Sequence, residues 1–323
     1  MKVFVAGASG VIGRQLLSSL KDHEVVAMTR SSTKASALRA AGTRAIVADA
    51  LDKDAVLAAV LESQPDVIVH ELTAIPANTS LRRLDRDFGA TNRLRTLGTD
   101  NLVAAARTAG VRRIVAQSFA GWTYARTGAA VKTEDDPLDP DPPRVFRRTL
   151  EAIRYLERTV LETRDIEGVV LRYGFLYGDG TSIGPNGAVL EAVRRRRLPI
   201  VASGTGVWSF VHVADAASAT RAAVERGAPG VYNVTDDDPS PVSTWLPALA
   251  AAIGAAAPPH VPAWFARLAI GKGGVAMMLD NRGASNAKAK RELGWTLGHP
   301  RPTDGFATLS RPEASQNARP ALA

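Results

Sequence analysis

Three glycines spaced as Gly7-x-x-Gly10-x-x-Gly13 stand between an apolar run, residues 2–6, and the helical pattern Val11-Ile12-x-x-x-Leu16-Leu17-x-x-Leu20. A turn without side chains can be tight, and its main-chain N–H groups can approach a pyrophosphate resting on the positive end of the following helix. Gly7, Ser9, Gly10, Val11, Ile12 and Gly13 therefore read as a cradle for a dinucleotide. A second strand at 24–29 completes the βαβ-sized stretch that such a motif requires. An acidic side chain at the end of that strand would accept hydrogen bonds from the adenosine ribose and repel a 2′-phosphate. The chain has Thr29-Arg30-Ser31-Ser32 there instead. Arginine offers a planar fork of donors suited to phosphate and the serines add hydroxyls, so Arg30 and Ser31 point to NADP(H) over NAD(H).

Groups able to move a proton are sparse. Open parallel sheets place ligands at the carboxyl ends of their strands. The candidates after the fifth strand are Ser118, Trp122, Thr123 and Tyr124, with Lys132 in the next loop as a conceivable partner for Tyr124. His212 has an ordinary pKa near neutrality. Arg172, Tyr177 and Trp208 read as walls or anchors of a substrate pocket, which Trp122 and His212 would also line. The run Arg194-Arg195-Arg196-Arg197 suits either a phosphorylated ligand or a solvated helix end. The absence of cysteine excludes disulfides, thiolate catalysis and zinc-thiolate centres, and no metal site is expected.

The elements that must position these groups alternate. After the first two strands come a helix at 34–41, a strand at 44–47, a helix at 52–63 and a strand at 66–69. A long helical region at 82–109, a strand at 113–116, a Pro-rich loop at 136–143, a helix at 147–163 and a strand at 168–172 follow. Strands alternating with helices of this length imply an α/β fold, a Rossmann-type doubly wound parallel sheet. Beyond Tyr177 the pattern loosens, apart from an Ala-rich helix expected at 246–257. Residues 1–177 are read as the NADP-binding domain, 178–309 as a smaller substrate-binding region with some chain returning to the sheet, and 310–323 as a flexible tail. At 323 residues and 46% hydrophobic content the chain can bury a sizeable core, and 40 Lys+Arg against 32 Asp+Glu give a net charge of +8. That balance suits anionic ligands without arguing for nucleic acid. The apolar stretch 261–280 is interrupted by Arg267 and Lys272, and no membrane span is expected. The first residues read as a strand rather than a secretory peptide, which makes cytoplasm the default.

In this order the motifs resemble the extended short-chain dehydrogenase/reductases, also called NAD-dependent epimerase/dehydratases. The resemblance rests on the glycine turn, Asp49-Ala50-Leu51-Asp52, His70-Glu71-Leu72-Thr73-Ala74, Gly98-Thr99-Asp100-Asn101-Leu102 and Gln117-Ser118. It continues through Leu171-Arg172-Tyr173-Gly174-Phe175-Leu176-Tyr177-Gly178, Phe210-Val211-His212-Val213-Ala214-Asp215-Ala216 and Arg291-Glu292-Leu293-Gly294-Trp295. It implies Asp49 and Ala50 at the adenine, Leu72, Thr73 and Ala74 along the pyrophosphate and nicotinamide ribose, and Gln117 at the cofactor edge of the fifth strand. It also implies Tyr173, Gly174 and Phe175 beside the nicotinamide, and a homodimer through the two long helices.

The chemistry departs from that resemblance. The family's proton relay is Tyr-x-x-x-Lys, in which the lysine lowers the tyrosine's pKa. Aligned on Glu157, those positions hold Thr149 and Ile153. The substrate-binding serine falls on Phe119 or Ser118, and Arg95 stands where an asparagine usually supports the lysine. The expected function is an NADP-dependent oxidoreductase or epimerase-like enzyme acting on a small carbonyl, hydroxylated or unsaturated substrate, with Ser118, Tyr124 or water as proton source. The alternative is a dinucleotide-binding module without redox turnover.

Overall fold

The computed structural model describes residues 1–77 and 79–309; the tail expected at 310–323 lies outside them. Short apolar runs form seven parallel strands: β1 (Lys2–Ala6), β2 (Glu24–Thr29), β3 (Arg44–Val47), β4 (Val67–His70), β5 (Arg113–Phe119), β6 (Glu167–Tyr173) and β7 (Gly230–Val234). Their order across the sheet is β3-β2-β1-β4-β5-β6-β7. The direction of winding reverses between β1 and β4, the switch point at which such sheets bind ligands.

Alternate side chains of each strand enter opposite cores. Val3, Val5, Val115 and Leu171 pack with α1 (Val11–Ser19) and a helix from the second half of the chain. Phe4, Ala6, Ile114 and Val170 pack with α3 (Lys53–Ser63), α4 (Thr99–Ala109) and α5 (Arg147–Glu162). The edge helix α2 (Ser32–Ala40) starts at Ser31, whose hydroxyl accepts the Lys34 N–H, and α3 starts at Asp52, which accepts the N–H groups of Asp54 and Ala55.

The long helical region expected at 82–109 is built of Leu84–Asp87, Gly89–Arg93, a π-helical turn at Leu94–Gly98 and then α4. Threonine hydroxyls compete with the main-chain ladder in this stretch: Thr96 Oγ1 donates to Asn92 O at 3.1 Å and Thr99 Oγ1 to Arg95 O at 2.8 Å. The resulting π turn turns Arg95 inward, to 6% exposure.

Residues beyond Tyr177 divide their work. The helix that joins α1 on the first face, α7 (Val213–Glu225), and strand β7 extend the sheet. A short helix α6 (Ala188–Arg194), with α8 (Val242–Ala252) and α9 (Ala263–Leu279), builds a second core around Trp208, Phe210, Trp245 and Met278. Leu84 and Phe146 from the first half also enter that core. The Ala-rich helix thus begins four residues before the expected 246 and stops at 252. No helix among the described residues is long and apolar enough to cross a membrane.

Candidate active site

At the end of β1 each glycine of the turn is demanded by geometry. Gly7 has φ +96°, and a Cβ there would lie 2.5 Å from Glu71 O. A Cβ on Gly13 would meet Gly7 O at 2.5 Å, and the Gly10 N–H donates to Gly7 O at 2.9 Å. Gly10 caps α1 without any side-chain acceptor, which leaves the first-turn N–H groups around Val11 and Ile12 for an anion. Ser9 Oγ stands 3.4 Å from Thr29 Oγ1, tying the turn to β2. Arg30 follows β2 exposed, and no carboxylate among the described residues pairs with it. Asp49 and Ala50 lie at the end of β3, where the Ala50 carbonyl accepts from Asn101 at 2.9 Å. Leu72, Thr73 and Ala74 leave β4, with the Leu72 N–H directed to His70 Nδ1 and the Ala74 N–H to Thr91 Oγ1. The backbone therefore fits a nicotinamide dinucleotide: a bare turn at the switch point and an uncapped helix start, with an exposed guanidinium at the end of β2.

Behind the turn lies a group that sequence reasoning missed. Glu71 is 5% exposed; burial raises its pKa to about 8, opposed by the hydrogen bond from Tyr173, whose hydroxyl reaches Glu71 Oε1 at 2.9 Å. Tyr173 also shares a hydrogen bond with Thr220 on α7 and belongs to the core under the sheet. Its ring is thus a floor beneath the cofactor edge rather than a surface exposed to it. Gly174 passes so close to Ser209 O that a Cβ would sit 2.6 Å away, and Phe175 emerges half-buried beyond it.

At the carboxyl end of β5 the protons of the expected donors Ser118 and Tyr124 are already committed. Ser118 Oγ donates to Glu157 Oε1 at 2.5 Å. Glu157 in turn grips Arg172, at 2.8 Å from Nε and 2.6 Å from Nη2. The Tyr124 hydroxyl donates to Asn233 at 2.6 Å and accepts from Arg172 Nη1 at 3.0 Å. All of these side chains are buried. Burial alone would lower the Arg172 pKa, but the hydrogen bonds and charge of Glu157 outweigh it and hold the guanidinium firmly protonated. Arg172 is therefore locked in a structural network rather than free to anchor a substrate. Burial likewise raises the Tyr124 pKa above its ordinary value. Lys132 does not meet Tyr124; its ammonium pairs with Asp136 at 3.0 Å.

The positions of the family's proton pair are equally closed. Thr149 is fully buried and donates to Asp85 Oδ1 at 2.7 Å, while Asp85 also accepts the Arg148 and Thr149 N–H groups and so caps α5. Ile153 is 1% exposed. The Arg95 guanidinium, with its pKa lowered to about 10 by burial, has Nη1 without a partner.

Aromatic rings cluster beyond the carboxyl end of β5. Phe119, at the end of β5, stands edge-on to Phe175 at 5.3 Å and to Trp122 at 6.1 Å, and Phe175 stacks on Trp208 at 4.0 Å. Trp208 donates to Met277 O at 2.9 Å and is a wall of the second core. Tyr177 is wholly buried against Phe306 and His212. His212 caps α7 through Nδ1 and stacks on His299 at 3.8 Å; burial first, then the nearby His299, lowers its pKa to about 4. Its donor atoms lie within 4.8 Å of those of Asp215 and His299, but Asp215 is engaged by the Gly298 and His299 N–H groups. The arginines at 194–197 are exposed, with Arg194 and Arg195 paired to Glu191, as a solvated helix end would be. Gln117 is half-buried on β5.

The profile of the NAD dependent epimerase/dehydratase family matches residues 3–235. The chain belongs to this family. A Streptomyces protein named 3-diazoavenalumate denitrifying reductase is 44% identical over 314 residues, covering 95% of this chain and 99% of that protein. Among solved structures, the Thermus thermophilus UDP-glucose 4-epimerase complex with NAD superimposes with TM-score 0.73 at 24% identity, covering 96% of this chain and 98% of the other. A human epimerase family protein with NADPH gives TM-score 0.72 at 20% identity, covering 96% and 99%. The doubly wound fold expected from sequence is thereby that of the family's solved members. As a member of this family the chain is an enzyme that uses a nicotinamide dinucleotide.

Proposed function

We propose that this enzyme is an NADPH-dependent reductase that delivers hydride to an electrophile needing no side-chain proton donor, and that its substrate is an aromatic diazo compound. The observation that carries this reading is the double closure of the proton route. Thr149 and Ile153 occupy the relay positions inside the core, and the hydroxyls of Ser118 and Tyr124 donate to Glu157 and Asn233. A carbonyl reduced by hydride becomes an alkoxide that must be protonated at once. A diazonium makes no such demand: in net terms the C–N bond breaks, dinitrogen leaves, a C–H bond forms, and NADPH supplies the hydride and ends as NADP⁺. The diazo group named in the Streptomyces relative supports this class. The half-buried rings of Phe119, Trp122 and Phe175 would offer π faces to a flat, cationic ring and orient it. Here Ser118 and Tyr124 serve to hold Arg172 in place, and Arg30 with Ser31 selects the 2′-phosphate.

The test is to incubate the protein with 4-deuterated NADPH and an arenediazonium salt. Dinitrogen should be released in step with NADPH loss, and deuterium should be found on the arene carbon that carried nitrogen. Turnover of ketones or enones with no diazonium reduction would overturn the reading. The homodimer is proposed on the same footing, through the faces of 84–109 and α5, and light scattering would test it.

A further inference from the structure

Beyond Trp122 the line of rings does not end at solvent. Trp122 lies 4.7 Å from Phe146, and Phe146 and Val145 back onto the kink of α9, where a Cβ on Gly273 would meet Val145 Cγ2 at 2.8 Å and Phe146 Cζ at 3.0 Å. The kink is made by Gly271, whose φ of +73° and ψ of 177° interrupt the helix. On its far side opens a cavity of about 270 Å³ lined by Leu81, Pro143 and Val145 and by the cations Arg82, Arg144 and Lys272. None of the three pairs with a carboxylate among the described residues, whereas Arg83 pairs with Asp87 and Arg147 with Asp141. Arg82 is anchored through Nη1 to Leu268 O at 3.0 Å, which ties the loop after β4 to α9 across the cavity mouth.

We propose that this cavity is a subsite for the carboxylate of an elongated aromatic substrate. The reactive ring would lie at Phe119 and Phe175, its unsaturated arm along Trp122, and its anionic end among Arg82, Arg144 and Lys272. The assignment rests on the aromatic-substrate reading above and adds to it the other end of the molecule. Three cations that line one hollow without a carboxylate partner can offer an anion charge-assisted hydrogen bonds. The apolar lining from Leu81, Pro143 and Val145 suits a carbon chain approaching the charge. A carboxylate at a fixed distance from the ring would set the ring's register against the cofactor edge, turning binding at a remote group into orientation of the reacting one.

Two measurements separate this claim from the one it rests on. Calorimetry on the NADPH-loaded protein with trans-cinnamate and its methyl ester needs no turnover. The acid should bind roughly tenfold more tightly than the ester, and the gap should close in Arg144→Ala/Lys272→Ala, in line with loss of charge-assisted hydrogen bonds. With 3-diazoniocinnamate and its methyl ester as substrates, the ratio of kcat/KM for acid over ester should fall about tenfold in the same variant and in Arg82→Ala. Equal binding of acid and ester by the unmodified protein, or an undiminished preference in the variants, overturns the subsite. A preference for the phosphopantetheinyl thioester over the free acid also overturns it, by assigning the cations to a carrier's phosphate. If neither diazonium is reduced but the acid preference in calorimetry holds and is lost in the variants, the subsite stands and the diazo chemistry falls.

Discussion

Glu157 and Arg172 face each other through two hydrogen bonds, 2.8 and 2.6 Å, with both side chains 7% exposed. One comes from α5 and the other from β6, so the pair joins a helix to the sheet beneath the candidate active site. Removing one partner of such a pair strands the other charge in the interior, whereas replacing both with apolar residues need not. Glu157→Gln is expected to cost about 3 kcal/mol of unfolding free energy, read from urea midpoints. Glu157→Leu/Arg172→Met should recover much of that loss, and a double variant as unstable as the single one would refute the desolvation argument.

Tyr124 tests catalysis separately. Its hydroxyl bridges Asn233 and Arg172 and can be removed without enlarging the side chain. Tyr124→Phe should lower stability by about 1–2 kcal/mol, the loss of a buried hydrogen bond to a charged group. If no proton passes through it, kcat should stay within about twofold of the parent, whereas loss of a true general acid costs on the order of a hundredfold or more. A fall of that size would restore Tyr124 as the proton donor.

The strands β1 to β6 and the glycine turn could be read because their signals are local: apolar runs and glycine punctuation. β7 leaves little local mark, since Gly230–Val234 carries only two valines and a tyrosine and owes its place to pairing with β6 across about sixty residues of chain. The fate of Ser118, Tyr124 and Arg172 was equally hidden. In sequence each is a plausible active-site residue, and only the approach of Glu157 from α5 and Asn233 from β7 shows that their donors are already spent. The departure at Thr149 and Ile153 was legible, because a missing hydroxyl and a missing amine need no three-dimensional partner to be recognised. Arg82, Arg144 and Lys272 are far apart in the chain, and nothing local in the sequence marks them as neighbours.

Glu71 gives stability a pH dependence. Its pKa rises to about 8 in the folded protein through burial, from an ordinary value of 4.5. The folded state therefore holds the proton more tightly than the unfolded chain between those values. Stability from this group is fullest below pH 4.5 and declines as pH rises toward 8. Glu71→Gln keeps the shape and stays neutral, so it should match the parent in thermal midpoint at pH 5 and exceed it at pH 8.5. Equal midpoints at both values would show that Glu71 does not retain a proton in the folded protein.

The proposed preference for NADPH rests on Arg30. It stands exposed at the end of β2, with no carboxylate partner among the described residues, beside the Ser31 hydroxyl that caps α2. An aspartate or glutamate there would accept from a ribose 2′-hydroxyl and repel a 2′-phosphate; a guanidinium reverses both effects. Because the side chain is solvated, its contribution depends on meeting a dianionic group by charge-assisted hydrogen bonds, and salt will weaken it. Arg30→Ala should therefore raise the Kd for NADPH by about tenfold or more while changing that for NADH little, and the NADPH penalty should shrink between low and high salt. Arg30→Asp should go further and invert the preference, since it adds repulsion toward the phosphate and an acceptor for the hydroxyl. Fluorescence titration of both nucleotides against the three proteins reads these ratios directly. Parallel losses for NADPH and NADH would mean that the guanidinium acts on the shared adenosine and that the 2′-phosphate is not what it recognises.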